Sequence, residues 1–120
     1  MHNILIVDDN YAQDIKLMLS DDIAAIFELA LNGLEGVKKF KESKTNNSNF
    51  SLIIMDINMP VMNGIEATKE IRKIDKNIPI IVYSALNVSK FIEDSLNAGA
   101  NKFIRKGGDL NSEVKFWLNL

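Results

Sequence analysis

Short runs of aliphatic residues alternate along the chain with segments that are apolar on one side only. Continuous runs cover Ile4 to Val7 and Leu52 to Met55, and a nearly continuous one covers Ile78 to Tyr83. Such runs are typical of strands that are buried on both faces of a parallel sheet. Two weaker runs, Ala25 to Leu29 and Asn101 to Ile104, predict two further strands.

The segments that follow these runs carry apolar residues at the three- and four-residue spacing of amphipathic helices. The stripes are Tyr11, Ile15, Met18 and Leu19; Leu34, Val37 and Phe40; Ala67, Ile71 and Ile74; Val88, Phe91, Ile92 and Leu96; and Leu110, Val114, Trp117 and Leu118. A strand followed by a helix, repeated along the chain, predicts an α/β fold with a doubly wound, five-stranded parallel sheet. The polar stretch 43–49 is interpreted as a mobile surface loop between the second helix and the third strand.

Length, composition and charge fit one globular domain and exclude several classes of protein. The chain has 120 residues, of which 47% are hydrophobic and 25% charged, so we expect a single domain over residues 1–120 with no output domain. A net charge of -2 with dispersed lysines argues against nucleic-acid binding. The absence of cysteine excludes disulfides and cysteine-ligated zinc. No apolar stretch is long enough for a signal peptide or for membrane insertion, so we expect a cytoplasmic protein.

Polar side chains follow four of the predicted strands. Asp8 and Asp9 follow the first strand, and Asp56 ends the third. Ser84 ends the fourth strand, and Lys106 follows the fifth. The carboxyl ends of parallel strands meet at one edge of the sheet, where ligands of such folds bind. We therefore expect these side chains to converge on one pocket.

Three carboxylates in one pocket predict a cation site. Like charges at short range cannot all stay ionised without compensation, and Mg²⁺ suits a site with a few carboxylates, water and phosphate. A lysine and a hydroxyl opposite the metal complete a cradle for a phosphoryl group. An aspartate inside that cradle can act as a nucleophile and form an acyl phosphate.

Four motifs at these positions resemble those of response regulator receiver domains, in the order and spacing of that family and over almost the whole chain. They are Val7-Asp8-Asp9-Asn10, Met55-Asp56-Ile57-Asn58-Met59-Pro60-Val61-Met62-Asn63-Gly64, Ser84-Ala85, and Ala98-Gly99-Ala100 through Lys106. The resemblance implies a flavodoxin-like (βα)5 fold. It also implies a switch that takes a phosphoryl group from a sensor histidine kinase or phosphotransfer protein, with Mg²⁺ or Mn²⁺ as cofactor.

The resemblance assigns a role to each residue around the phosphoryl group. Asp56 would be the phosphoacceptor, Asp9 a direct metal ligand, and Asp8 a ligand acting largely through water. The backbone carbonyl of Asn58 would be a further metal ligand. Lys106 would pair with a phosphoryl oxygen. A protein with these roles is a regulatory phosphoacceptor that assists its own phosphorylation and dephosphorylation rather than an enzyme in the usual sense.

The resemblance also assigns roles in switching. Ser84 would move toward the phosphoryl group, and Phe103 would swing inward with it. Asn58 and Leu86 would tune the access of water to the acyl phosphate, and the apolar bulk of Leu86 predicts slower hydrolysis. The surface formed by the fourth helix, fifth strand and fifth helix would contact a downstream protein or a second copy in a homodimer. Phe116 lies off the apolar stripe of the last helix and is a candidate for that contact.

One departure from the family pattern concerns the residue after Lys106. Many receivers have a proline there, commonly after a cis peptide bond, whereas this chain has Gly107 and Gly108. A cis bond before a residue other than proline costs about 2.5–4 kcal/mol, so we expect a trans peptide and a less rigidly placed lysine. Phe103, where the family often has tyrosine, lacks a hydroxyl to hydrogen-bond.

Two other functions are weighed against the switch. A pseudo-receiver that binds proteins without phosphorylation is favoured only by Gly107. A phosphatase of the haloacid dehalogenase type would need a second acid where this chain has Asn58, and a cap domain for which 120 residues leave no space. Whether the chain is a stand-alone regulator or the receiver of a hybrid kinase or larger regulator stays open.

Overall fold

The computed structural model describes residues 1–86 and 88–120 and has the alternation of strands and helices that the sequence predicts. The elements are β1 (His2–Val7), α1 (Ala12–Ser20), β2 (Ala25–Ala30), α2 (Gly33–Thr45), β3 (Leu52–Met55), α3 (Gly64–Ile74), β4 (Ile80–Ser84), α4 (Ser89–Ala98), β5 (Lys102–Arg105) and α5 (Leu110–Leu118). All strand pairs are parallel, and the order in the sheet is β2-β1-β3-β4-β5. The predicted flavodoxin-like fold is confirmed.

The sheet separates two apolar layers, because alternate residues of each strand point to opposite faces. On one face, Leu5, Val7 and Met55 pack with residues of α2 and α3. On the other face, Ile4 and Ile6 pack with residues of α1 and α5. Strands covered on both sides explain why the central runs are aliphatic without alternation.

Local hydrogen bonds define where the helices begin. The side chain of Asn32 accepts a hydrogen bond from the backbone N–H of Glu35 at the start of α2. Asn63 caps α3 in the same way through the N–H of Glu66. Such caps contribute about 1 kcal/mol each. The cap at Asn63 places the start of α3 directly after the loop that follows Asp56.

The predicted loop over 43–49 is wrong for its first three residues. Helix α2 continues through Thr45, and Ser43 is buried in it. The hydroxyl of Ser43 donates to the carbonyl of Phe40 at 2.6 Å, so this polar side chain is satisfied within the helix. Lys44 pairs with Asp75 at the end of α3, which adds a tertiary contact that sequence composition does not reveal.

None of the helices in the described part of the chain is long and apolar enough to cross a membrane.

Candidate functional site

Backbone hydrogen bonds that continue the sheet pairing bring the predicted site residues to one edge. The N–H of Asp8 donates to the carbonyl of Ala30 at 3.0 Å, and that of Asp56 to Val7 at 2.9 Å. The N–H of Lys106 donates to the carbonyl of Ser84 at 2.9 Å. Each residue is thus held by a neighbouring strand, and the convergence expected from parallel topology is observed.

Three carboxylates form the floor of the site. Asp8, Asp9 and Asp56 each offer one oxygen, and these oxygens lie within 4.8 Å of one another. Asp8 is 1% exposed and Asp56 is 7% exposed. Oδ1 of Asp8 accepts hydrogen bonds from the N–H groups of Asn10 and Tyr11. Oδ1 of Asp9 is buried and has no hydrogen-bond partner among residues 1–86 and 88–120.

The surroundings of Asp56 disfavour its charged form. Burial and the charge of Asp8 raise the pKa of Asp56 above its ordinary value. The Lys106 ammonium and the N–H of Ile57, which donates to Oδ1 of Asp56 at 2.8 Å, act in the opposite direction without cancelling the effect. A further positive charge beside the three carboxylates would therefore stabilise the ionised cluster.

Lys106 supplies the one positive charge that contacts this cluster among the described ion pairs. Its Nζ lies 2.8 Å from Oδ2 of Asp8 and 3.5 Å from Oδ2 of Asp56. Burial would lower the pKa of Lys106, but the hydrogen bond and charge of Asp8 and the charge of Asp56 outweigh it and raise the pKa. The same Nζ lies 4.4 Å from the centroid of the Tyr11 ring.

An open cleft lies above the acidic floor, and the largely buried Asp56 lines it. Its walls are formed by Asp9, Asn10, Tyr11, Asp56, Asn58, Ser84, Ala85, Leu86 and Lys106. Ser84 is 1% exposed, and its hydroxyl accepts a hydrogen bond from the N–H of Leu86 at 3.2 Å. Both predicted tuning residues line the cleft: Asn58 is exposed, and Leu86 is half-buried.

Phe103 lies outside the cleft. It is half-buried on β5 and packs against the apolar layer under α2 and α3. Its strand pairs with β4, where Phe103 stands opposite Val82, two residues before Ser84. Phe103 therefore does not line the cleft that contains Asp56.

The loop between β3 and α3 is built around one glycine that tolerates no side chain. A Cβ on Gly64 would lie 1.8 Å from the backbone carbonyl oxygen of Asp56. The N–H of Gly64 donates to the carbonyl of Ile57 at 2.9 Å, which closes the loop beside the acceptor. Val61 in the same loop has φ 69°, a left-handed conformation that β-branched residues rarely adopt.

The peptide between Lys106 and Gly107 is trans, as expected, since both described stretches contain only trans peptide bonds. Gly107 has φ 97°, and its N–H donates to the hydroxyl of Tyr83 at 3.2 Å. The sequence interpretation missed this contact and that of Tyr11 with Lys106. The sequence predicts Tyr11 on the apolar stripe of α1, but it precedes the helix and is 51% exposed.

The cluster has the properties of a site for a hard divalent cation. All its donors are carboxylate oxygens, which Mg²⁺ prefers. The buried Oδ1 of Asp9 lacks a protein partner in the described structure, and a buried polar atom of this kind calls for an ion or water. The residues present therefore fit Mg²⁺.

A second surface is formed by α4, β5 and α5. Phe116 is 68% exposed, which confirms that it lies off the apolar stripe of α5. Its ring meets that of Trp117 edge-on, with 5.3 Å between centroids. Trp117 is half-buried against the core, and its Nε1 donates to Glu113.

Comparison with known proteins gives one family. A family model, the response regulator receiver domain, matches residues 4–115. The chemotaxis protein CheY of Thermotoga maritima is 46% identical over 107 residues, which cover 86% of this chain and 83% of that protein. A CheY-like receiver structure from Methanospirillum hungatei has a TM-score of 0.87 at 29% identity and covers 99% of this chain and 94% of that one. A complex of CheX, CheY, BeF3 and Mg²⁺ from Borrelia burgdorferi has a TM-score of 0.77 at 33% identity, covering 98% and 86%.

Proposed function

This chain belongs to the response regulator receiver family, and from that premise we propose that Asp56 accepts a phosphoryl group and thereby switches the protein between two signalling states. One observation carries the proposal: the Asp56 carboxylate lies at the floor of an open cleft, beside two other carboxylates and 3.5 Å from the Lys106 ammonium. The donor would be a sensor histidine kinase or a phosphotransfer protein in the cytoplasm.

The carboxylates of Asp8, Asp9 and Asp56 and the backbone carbonyl of Asn58 would hold Mg²⁺, or Mn²⁺ in its place. When bound, the cation would neutralise the carboxylates and offset negative charge on the phosphoryl oxygens. The unpartnered Oδ1 of Asp9 supports this assignment, because it is the one buried side-chain oxygen left without a hydrogen bond in the described chain. The related CheY complex from Borrelia burgdorferi contains Mg²⁺.

In the transfer step, an oxygen of the Asp56 carboxylate attacks the phosphorus of a phosphohistidine. A carboxyl oxygen–phosphorus bond forms, the phosphorus–nitrogen bond breaks, and the imidazole leaves with the electron pair and takes up a proton. Ile57 orients the acceptor through its N–H on Oδ1. Lys106 then neutralises a phosphoryl oxygen, and the Ser84 hydroxyl donates a hydrogen bond to another.

The switch would pass from the cleft to the α4–β5–α5 surface through β4 and β5. Movement of Ser84 toward the phosphoryl group releases the hydrogen bond that it now accepts from Leu86. The backbone beyond β4 then rearranges, and Phe103 swings inward from its half-buried position on β5. A downstream protein, or a second copy in a homodimer, would read the change at Phe116 on the α4–β5–α5 surface. Leu86 at the cleft wall would slow the attack of water on the acyl phosphate.

Mg²⁺-dependent labelling tests the proposal. The protein is incubated with a small acyl phosphate or phosphoramidate donor, and its intact mass is measured. We expect one phosphoryl group per chain in the presence of Mg²⁺ and none after its removal with EDTA. Asp56→Asn should abolish labelling, whereas Asp75→Asn, which changes an acid outside the cleft, should leave it intact. Labelling of Asp56→Asn at the unsubstituted rate, or no labelling of the unsubstituted protein, would contradict the proposal.

A further inference from the structure

Lys106 is followed by one residue, Gly107, with little steric restraint. Gly107 has φ 97°, and a Cβ added there would meet no atom within 4 Å. The N–H of Lys106 is held by the carbonyl of Ser84, but side-chain packing at Gly107 adds no further restraint. The position of Nζ depends instead on contacts with neighbouring elements.

The ring of Tyr11 provides one of these contacts. Nζ of Lys106 lies 4.4 Å from its centroid, within the range in which a cation is attracted by the face of an aromatic ring. The N–H of Tyr11 donates to Oδ1 of Asp8 at 2.9 Å, so the aromatic residue is tethered to the acidic floor. Because Tyr11 precedes α1 and is 51% exposed, core packing does not account for its position.

The hydroxyl of Tyr83 provides the second contact, at the peptide after the lysine. Tyr83 is 7% exposed and lies on β4, one residue before Ser84. Its hydroxyl accepts a hydrogen bond from the N–H of Gly107 at 3.2 Å. A rigid residue in the sheet thus holds the peptide that directly follows Lys106.

We propose that Tyr11 and Tyr83 are positioning residues that hold Lys106 in reach of the phosphoryl group, a role that rests on the proposed function of Asp56. Tyr11 confines the ammonium to the cleft, where it lies 2.8 Å from Asp8 and 3.5 Å from Asp56. Tyr83 anchors the backbone beyond it. Together they restrain the lysine beside Gly107, where a side chain would meet no neighbouring atom.

The first test separates the effect of the Tyr11 ring on labelling from that of the Tyr83 hydroxyl. Tyr11→Leu removes the aromatic face, and Tyr83→Phe removes only the hydroxyl that Gly107 contacts. Each should slow Mg²⁺-dependent labelling of Asp56 by a small acyl phosphate between about twofold and about tenfold. Tyr11→Phe should restore most of the rate lost in Tyr11→Leu. Leu17→Ala, at a side chain on α1 that is 55% exposed and does not line the cleft, is the control for the loss of an exposed apolar side chain.

A second readout needs neither metal nor donor. In nuclear magnetic resonance spectra of the metal-free protein, the ε-methylene protons of Lys106 should be shifted upfield by the Tyr11 ring. That shift should survive Tyr11→Phe and disappear in Tyr11→Leu. The amide proton of Gly107 should move upfield in Tyr83→Phe, because it loses its acceptor.

The outcomes distinguish the two proposals. Absence of labelling in the unsubstituted protein overturns the proposed function of Asp56. Normal labelling of that protein, with unchanged rates in both Tyr11→Leu and Tyr83→Phe, overturns only the positioning role. The positioning role is supported if Tyr11→Leu, but not Tyr11→Phe, loses the ring-current shift of Lys106 and is labelled more slowly. Circular dichroism shows whether each variant is folded.

Discussion

At the scale of single residues, the loop beside Asp56 contains one position that only glycine can fill and one that is occupied by an unsuitable residue. Gly64 leaves room for the backbone carbonyl of Asp56, as its missing Cβ would overlap that oxygen. Val61, by contrast, is β-branched and has φ 69°, and it is 76% exposed. The N–H of Met62 donates to the carbonyl of Pro60 at 2.7 Å across it, which makes a tight three-residue turn.

Replacing Val61 should therefore stabilise the protein. A positive φ at the centre of such a three-residue turn is strained and costs a residue with a Cβ about 1–3 kcal/mol, whereas glycine adopts it readily. We expect Val61→Gly to raise the free energy of unfolding by about 1 kcal/mol in urea titrations, since the greater freedom of glycine in the unfolded chain offsets part of the gain. Val61→Thr, which keeps the β-branch, should gain nothing. Equal stabilities of the two variants would contradict the assignment of strain to Val61.

The acidic floor predicts a second effect on stability. Burial and the charge of Asp8 raise the pKa of Asp56, so its ionised form opposes folding without a cation. Asp56→Asn should thus raise the unfolding free energy, measured in urea titrations, when metal is absent.

Mg²⁺ at 100 times its dissociation constant should stabilise the unsubstituted protein by about 2.7 kcal/mol. This gain, measured by thermal unfolding, should shrink in Asp9→Asn, and an unchanged gain would remove Asp9 from the metal site.

At the scale of elements, the sequence predicts what topology controls and misses what side-chain conformation controls. Aliphatic runs predict the parallel strands, and the shared edge of such strands predicts that Asp8, Asp56 and Lys106 lie together. The end of α2 was misplaced because Ser43 and Lys44 are polar, yet each finds a partner in the fold. The contacts of Tyr11 with Lys106 and of Tyr83 with Gly107 do not follow from the sequence, because they join residues from different parts of the chain.

The contact between α2 and α3 makes a prediction about pH. Burial would raise the pKa of Asp75, but the Lys44 ammonium and the N–H groups of Asn77 and Ile78 outweigh it and lower the pKa. A lowered pKa means that the folded state favours the carboxylate. This contribution to stability is complete above the ordinary pKa of aspartate, about 3.9, and is lost as the pH falls through the lower folded value.

Variants of Asp75 separate its charge from its hydrogen bonds. Asp75→Ala should lose about 1–2 kcal/mol at neutral pH, since two N–H groups lose their acceptor. Its stability should also fall less steeply in acid, because it has no carboxylate to protonate. Asp75→Asn keeps that acceptor and should lose only about 0.5 kcal/mol, because Lys44 is partly solvated. Urea titrations at neutral pH and near pH 3 measure both. A steeper acid dependence in Asp75→Ala than in the unsubstituted protein would contradict the sign.

At the scale of the whole molecule, the proposed switch must connect two faces that do not touch. The cleft lies at the carboxyl edge of the sheet, whereas Phe116 lies on the outer surface of α5. Ser84 and Phe103 belong to adjacent strands, and Ser84 stands opposite Arg105 in the β4–β5 pairing. Moving such a two-state equilibrium from 1:99 to 99:1 needs about 5.5 kcal/mol, which is more than one hydrogen bond supplies. Phosphorylation must therefore favour several contacts of the active state together.

Trp117 allows this coupling to be measured, because it is the only tryptophan of the chain and lies beside Phe116. Beryllofluoride with Mg²⁺ mimics a phosphoryl group without a covalent bond and can be added to each variant. In the unsubstituted protein we expect the indole N–H resonance of Trp117, hydrogen-bonded to Glu113, to shift when the mimic binds. Ser84→Ala should still bind the mimic through Asp56 and Lys106 but should lose more than half of this distant shift. If the Trp117 resonance moved equally in Ser84→Ala, the signal would reach α5 by a route that does not include the Ser84 hydroxyl.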